Sequence, residues 1–316
     1  MSSLYPALFA FLLVMCVIPL QTRLFKAYGV VQPIRKELPA DQQKKRGTPL
    51  MGGLVFVVGV FISLWHGEST YTVFLPGIFV LYACIGFLDD FKKAYTKSPD
   101  GISAKTKLLL QVLVTGGALF YLFDETALQS MLTVTRSVSW DVPIVIFVIG
   151  VGLIVIGSTN AINFTDGLDG LLSVVAIPTY FFFFVISSSA DIRLFCLIMI
   201  ASLLGFLFYN RYPAKLIMGD TGSMAIGGTL ALLAVIDDVI ILLPVLFLVY
   251  FAEILSVIIQ VSYYKRTGKR IFRMSPIHYH FSLKYGWNEN TIVIVFGAVS
   301  WVCALLCIGY YDVFMK

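Results

Sequence analysis

Apolar residues in this chain gather into ten long runs separated by polar connections, at approximately 3–21, 50–65, 72–88, 107–123, 143–159, 171–189, 194–209, 223–236, 239–262 and 291–311. A helix of about twenty such residues crosses a hydrocarbon core roughly 30 Å thick. The runs therefore predict ten transmembrane helices, two of them short for full spans. Positive charge orients them, because Lys and Arg collect on cytoplasmic loops. Of the 23 Lys and Arg residues, 20 lie in the connections after the first, third, fifth, seventh and ninth runs. Only Arg136, Arg193 and Lys316 lie on the other side, which places both termini outside. The opening "MSSLYP" has no basic n-region, so the first run reads as a retained anchor rather than a cleaved signal.

The expected fold class is an all-α integral membrane protein with ten transmembrane helices and both termini extracytoplasmic. It forms a single polytopic domain over 1–316. Composition agrees: 59% of residues are hydrophobic, 13% are charged and the mean hydropathy is +0.88, whereas soluble domains are about half apolar and a quarter charged. The net charge of +5 follows from the loop bias and is no sign of nucleic-acid binding. Five cysteines, Cys16, Cys84, Cys196, Cys303 and Cys307, are scattered through apolar runs without a paired motif, so neither a disulfide framework nor a zinc site is indicated. The longest outer connection, 124–143, has the mixed character of a hairpin or an interfacial segment.

Chemistry concentrates on the cytoplasmic connections. "GFLDDFKK" sets Asp89 and Asp90 side by side at the end of an apolar run, with Lys93 four residues from Asp89 and on its helix face. Adjacent carboxylates repel unless a cation or lysine offsets their charge, or they share a proton. "NAINFTDGLDGL" repeats Asn160, Asn163, Asp166 and Asp169 every third residue, aligning them on one side of a helical or 3₁₀ turn. Those oxygens suit a hard cation or a hydroxyl-bearing ligand. Asx residues with glycine also form ordinary turns.

In "NRYPAKLIMGDTGSMAIGG", Asp220 sits between glycines where a helix opens, as a cation ligand or a plain helix cap. His278 and His280, in "SPIHYHF", lack the further nitrogen or sulfur ligands that zinc requires, so contact with phosphate or substrate positioning suits them better. His66, on an outer loop, reads as incidental. "QQKKRGTPLMGG" brings Lys44, Lys45 and Arg46 to the mouth of the second run, where the glycines allow close backbone packing or a ligand contact.

Taken together and in this order, "RGTPLMGG", "GFLDDFKK", "NAINFTDGLDGL", "MGDTGSMAIGG" and "SPIHYHF" followed by "GWNEN" resemble the polyprenyl-phosphate N-acetylhexosamine-1-phosphate transferases, specifically the branch with muramoyl-pentapeptide donors. The resemblance runs from the first span to the last. It implies a bacterial inner-membrane enzyme with a cytoplasmic active site. Its reaction would be Mg²⁺-dependent transfer of phospho-MurNAc-pentapeptide from UDP-MurNAc-pentapeptide to undecaprenyl phosphate, giving lipid I and UMP in peptidoglycan synthesis. A homodimer is also implied.

Carried over by position, Asp89 and Asp90 match the family's acidic pair, Lys93 and Lys105 its phosphate-interacting lysines, and Asp220 its metal-binding acid. Asn163, Asp166, Gly167, Leu168 and Asp169 match the nucleotide and catalytic loop. Asn210 matches another nucleotide contact, and Lys45 or Lys44 a lysine near the uridine-diphosphate site. His278 and His280 match the histidine motif. The chain departs from that motif in Tyr279, where the family shows a third histidine, and in Ser282, where it commonly shows Glu; Tyr279 replaces the imidazole in function, shows it to be dispensable, or marks an altered activity.

These assignments have Asp220 and Asp90 holding Mg²⁺, Asp89 taking the proton of the lipid phosphate, and Asp89, Asp90, Asp169 and Asp220 converging on one centre. A covalent two-step route through the acidic pair is the other possibility. A UDP-GlcNAc transferase of the same superfamily would share the acidic motifs. A secondary transporter would instead carry polar residues near the midplane, where Glu253 is the main example.

Overall fold

Each of the ten apolar runs contains a helix. The computed structural model describes residues 4–33, 43, 45–65, 69–126 and 128–316. Helix α1 covers Leu4–Ala27, and α2 covers Leu54–Val60 with a 3₁₀ extension over Phe61–Trp65. Then follow α3 (Thr70–Thr96), α4 (Ala104–Glu125), α5 (Ile144–Thr165), α6 (Leu171–Ile186), α7 (Ala190–Asn210) and α8 (Gly219–Ile236). The last are α9 (Leu248–Thr267), a short α10 (Ile277–Tyr285) and α11 (Glu289–Tyr310), which ends in a π-helical turn over Tyr311–Met315.

Among the described residues, eight helices are long and apolar enough to cross a membrane; α6 and the extended α2 are shorter. Their outward faces stay greasy, with Leu8, Leu12, Leu109, Leu113, Ile146, Ile149, Leu153, Ile258 and Leu305 all exposed. Lipid accepts such a surface and water does not. The chain is a multi-pass membrane protein.

Helix α8 is the central post: 89% of its apolar window is buried. It consists largely of Gly, Ala, Ser, Thr and Leu, and small side chains let neighbouring backbones approach closely. Helices α3 and α5 pack against it, α1 packs on α7, and α6 lies between α7 and α11. At Gly86 of α3 a β-carbon would lie 2.0 Å from the Asp220 carbonyl oxygen, so only glycine lets α3 come this near α8. "GTPLMGG" serves packing as well. Gly52 and Gly53 donate to the Ile217 and Met218 carbonyls at 2.8 and 2.9 Å, pinning the mouth of α2 to the loop before α8.

The 124–143 connection contains a hairpin, β1 (Met131–Thr135) antiparallel to β2 (Val138–Asp141) with a register shift between Thr133 and Thr135. It closes the end of the bundle away from the acids: Thr133 hydroxyl donates to Asp238, Tyr310 hydroxyl donates to the Val134 carbonyl at 3.1 Å, and Arg136 N–H donates to the Phe314 carbonyl at 2.7 Å.

Candidate active site

Helix α3 ends in Asp89, Asp90 and Lys93, α4 begins near Lys107, α5 ends near Asn163, and α8 begins with Asp220. Successive helices run in opposite directions, so these termini meet at one end of the bundle. Asp89 and Asp90 are buried, at 4% and 0% exposure. The carboxylates of Asp89, Asp90 and Asp220 each offer an oxygen within 4.8 Å of the others, an arrangement able to hold a metal ion. An all-carboxylate set is the donor chemistry of hard cations such as Mg²⁺.

Two ammonium groups offset the crowded negative charge. Lys93 Nζ lies 2.6 Å from Asp89, 3.3 Å from Asp220 and 3.7 Å from Asp90. Lys107 Nζ lies 2.5 Å from Asp220 Oδ2. Of the two lysines in the first turn of α4, Lys107 is the one that meets Asp220. On a helix, residues two apart point about 200° away from each other, and with Ser103 capping α4 it is Lys105 that is exposed.

The adjacent acids are held differently. Asp89 Oδ1 accepts from the Ile102 N–H at 3.0 Å, and Gly101 makes room for its carboxylate. Asp90 accepts from Asp220 N–H at 3.1 Å and from Thr221 N–H and hydroxyl at 2.9 and 2.8 Å. Those N–H groups belong to the first turn of α8, which leaves such donors without intrahelical partners. The cap is therefore Asp90, reaching in from α3, rather than Asp220 or Thr221.

Residues 160–170 do not share one face. Helix α5 ends at Thr165, and the turn that follows reaches Gly170 at φ 78° before α6 begins. Asn160 donates to Gln111 and to the Ile156 carbonyl, away from the acids. Asn163 donates to Asp220 Oδ1 at 3.1 Å and Ser223 Oγ at 2.7 Å. Asp166 accepts from Gly219 N–H at 3.1 Å. Loss of surrounding water pushes its carboxyl well above the usual range, and the charges of Asp220 and Asp90 add to this.

Asp169 does not join the other three acids. Its oxygens accept from Lys45 at 2.7 Å and from the Ala214 N–H at 2.9 Å. Lys45 also meets Glu289, at 3.2 Å, a residue the motifs did not single out. Asn210 accepts from Gly170 N–H and donates to the Leu216 carbonyl, tying the turn to the loop before α8. Leu168 is buried beneath it. Lys44 and His66 lie outside the described residues.

The two histidines part company for the helical reason that separates Lys105 from Lys107. His278 is fully buried, its ring against Gly167. His280 instead accepts the Arg273 N–H at 3.0 Å and packs on Phe272 and Tyr285. Burial pushes its pKa down, with Lys284 and Arg273 adding to the effect. Tyr279 reaches the turn, donating its hydroxyl to the Gly167 carbonyl at 3.3 Å. Burial pushes that phenol up, aided by Glu289, Glu253 and Asp169.

Comparison with known proteins gives a consistent result. Residues 71–238 match glycosyl transferase family 4. The phospho-N-acetylmuramoyl-pentapeptide-transferase of Clostridium acetobutylicum is 38% identical over 309 residues, covering 96% of this chain and 97% of its own. That of Anoxybacillus flavithermus is 37% identical over 324 residues, covering 99% and 98%. That of Clostridioides difficile is 35% identical over 322 residues, covering 96% of each.

Proposed function

The chain belongs to glycosyl transferase family 4 and, within it, to the phospho-N-acetylmuramoyl-pentapeptide transferases, and from this we propose that it transfers phospho-MurNAc-pentapeptide from UDP-MurNAc-pentapeptide to undecaprenyl phosphate, giving lipid I and UMP. The observation that carries the reading is the set of buried Asp89 and Asp90 with partly buried Asp220, bridged by Lys93 and met at Asp220 by Lys107, at one end of a bundle of membrane-spanning helices. There a lipid phosphate held in the bilayer can meet a water-soluble nucleotide.

Phosphoryl transfer asks mainly for charge neutralisation and in-line placement. Mg²⁺ held by Asp220 and Asp90, with Asp89 within reach, would neutralise the diphosphate. Lys93 and Lys107 are placed to steady phosphate oxygens once these compete for them, and Lys105 adds positive charge at the rim. Asp89, next to Lys93, takes the proton of the attacking lipid phosphate. Asn163, through Asp220, fixes the orientation of that acid. Lys45, Asp166, Gly167, Leu168, Asp169 and Asn210 shape the nucleotide side, and the His278–His280 helix flanks it.

In this reading the shorter α2 and α6 also span, completing ten passes with both termini outside. The acids face the cytoplasm from the inner membrane in one domain, in keeping with the 20 basic residues on that side. Two copies associate as a homodimer.

The test is purified protein in detergent with polyprenyl phosphate, Mg²⁺ and either UDP-MurNAc-pentapeptide or UDP-GlcNAc. Lipid-linked muramoyl product with UMP is expected. Product only from UDP-GlcNAc would transfer the chain to the other donor class, and solute flux without UMP would revive a transporter.

A further inference from the structure

Glu253 lies within the membrane-crossing helix α9 and is fully buried. An ionisable side chain in that setting is costly unless it is paired. Its partner is His278, also fully buried: Glu253 Oε2 lies 3.0 Å from His278 Nδ1 and 3.5 Å from the His278 backbone N–H. A carboxylate can only accept, so an ionised Glu253 requires the proton on Nδ1. The ring cannot turn over without exchanging that nitrogen for a carbon.

The opposite edge of the ring meets Gly167. A β-carbon there would fall 2.4 Å from His278 Cε1 and 2.6 Å from Nε2, so the imidazole occupies the space a side chain would need. His278 Nε2 and Glu253 Oε1 have no hydrogen-bond partner in the protein and are shielded from solvent. Tyr279, the next residue, donates to the Gly167 carbonyl. Helix α10 thus touches the 166–170 turn through both a ring edge and a hydroxyl. That turn carries Asp166, which takes the Gly219 N–H, and Asp169, which takes Lys45.

We infer that Glu253 is a positioning residue for the transfer reaction: by holding His278 through Nδ1–H it sets the ring edge on which the Gly167 turn rests, and so the placement of Asp166 and Asp169. The inference rests on the transferase reading for its kinetic part and on geometry alone for its spectroscopic part.

The test combines imidazole ¹⁵N NMR of the full-length protein in detergent with steady-state kinetics. The chain has three histidines, and loss of a signal in H278N identifies the one of interest. The wild type is expected to show a protonated Nδ1; a bare Nδ1 overturns the inference. E253M removes both acceptors, and kcat should fall about tenfold with KM for either substrate changed less than about twofold and the Nδ1 proton signature lost. E253Q keeps an oxygen acceptor and should stay within about threefold of wild-type kcat with Nδ1 still protonated.

Wild-type turnover in E253M, or a KM effect alone in either variant, overturns the inference. If E253M does not fold, E253Q decides: a large loss of kcat with Nδ1 still protonated overturns it, and retained kcat with that signature supports it. A wild-type protein that releases no UMP refutes the transferase reading and leaves the ¹⁵N result standing.

Discussion

Asp90 and Thr221 lie 131 positions apart and are joined twice, Thr221 donating both its N–H, at 2.9 Å, and its hydroxyl, at 2.8 Å, to Asp90 Oδ2. Met218, at the N-cap position of α8, gives that helix no side-chain bond. The carboxylate from α3 therefore serves both the fold and the acidic cluster. Among the described residues, its neighbour Asp89 bonds within α3 and the loop after it and lies beside Asp220.

The two acids should then fail differently. Asp90→Ala is expected to destabilise the protein by about 1–3 kcal/mol, the range for losing a cap and leaving buried N–H groups unpaired, and to abolish UMP release. Asp89→Ala should abolish UMP release with little change in thermal midpoint. Unfolding curves followed by tryptophan fluorescence separate these outcomes, and equal midpoints would refute the distinction.

Lys107→Ala should reduce kcat by about a hundredfold, the scale set by losing one preorganised charge-stabilising donor. Lys105→Ala, on the exposed side of α4, should stay within about threefold of wild type. A larger loss from Lys105 would show that the lysine bonded to Asp220 is the wrong one.

Asp220→Asn keeps the volume of a side chain met by Lys93, Lys107 and Asn163 but removes its charge. Mg²⁺-stimulated UMP release should disappear while the protein remains folded in detergent. Chelation of the wild type should have the same effect and be reversed by added Mg²⁺. Turnover unaffected by either treatment would dissociate this acid from metal.

At the other end of the bundle, burial pushes Asp237 up to about 7, although Ser187 donates to it. A carboxyl that holds its proton more tightly folded than unfolded contributes stability at low pH, and that contribution is lost as pH rises through about 7. Asp237→Asn should therefore raise the thermal midpoint well above pH 7, by at most about 4 kcal/mol of stability, and make little difference near pH 4. A stabilisation that does not change with pH would point to packing instead.

The helices, the hairpin and the Asp89–Asp90 pair were legible because each is written locally, in an apolar run, a mixed connection or two neighbouring acids; Asp220, 130 positions on, was joined to the pair only by the family resemblance. What could not be read was helical phase. Lys105 and Lys107, like His278 and His280, are two apart, so a helix can aim only one of each pair at the site, and the cap that chooses is set by folding. Asp169 left the expected row because the turn after Thr165 resets the phase. Glu289 lay inside "GWNEN" yet was not picked out as a site residue, since its partner Lys45 lies 244 positions away. Glu253 was visible as an oddity among apolar residues, but nothing in the chain joined it to a histidine 25 positions on.

Strand β2 is exposed along its length, and the turn before it, at Arg136 and Ser137, projects from the end opposite the acids. A cysteine introduced at Ser137 would give the molecule an address. A thiol reagent too polar to cross lipid, applied to whole cells, should mark it at once and so assign each end of the bundle to its compartment, without touching the acidic cluster.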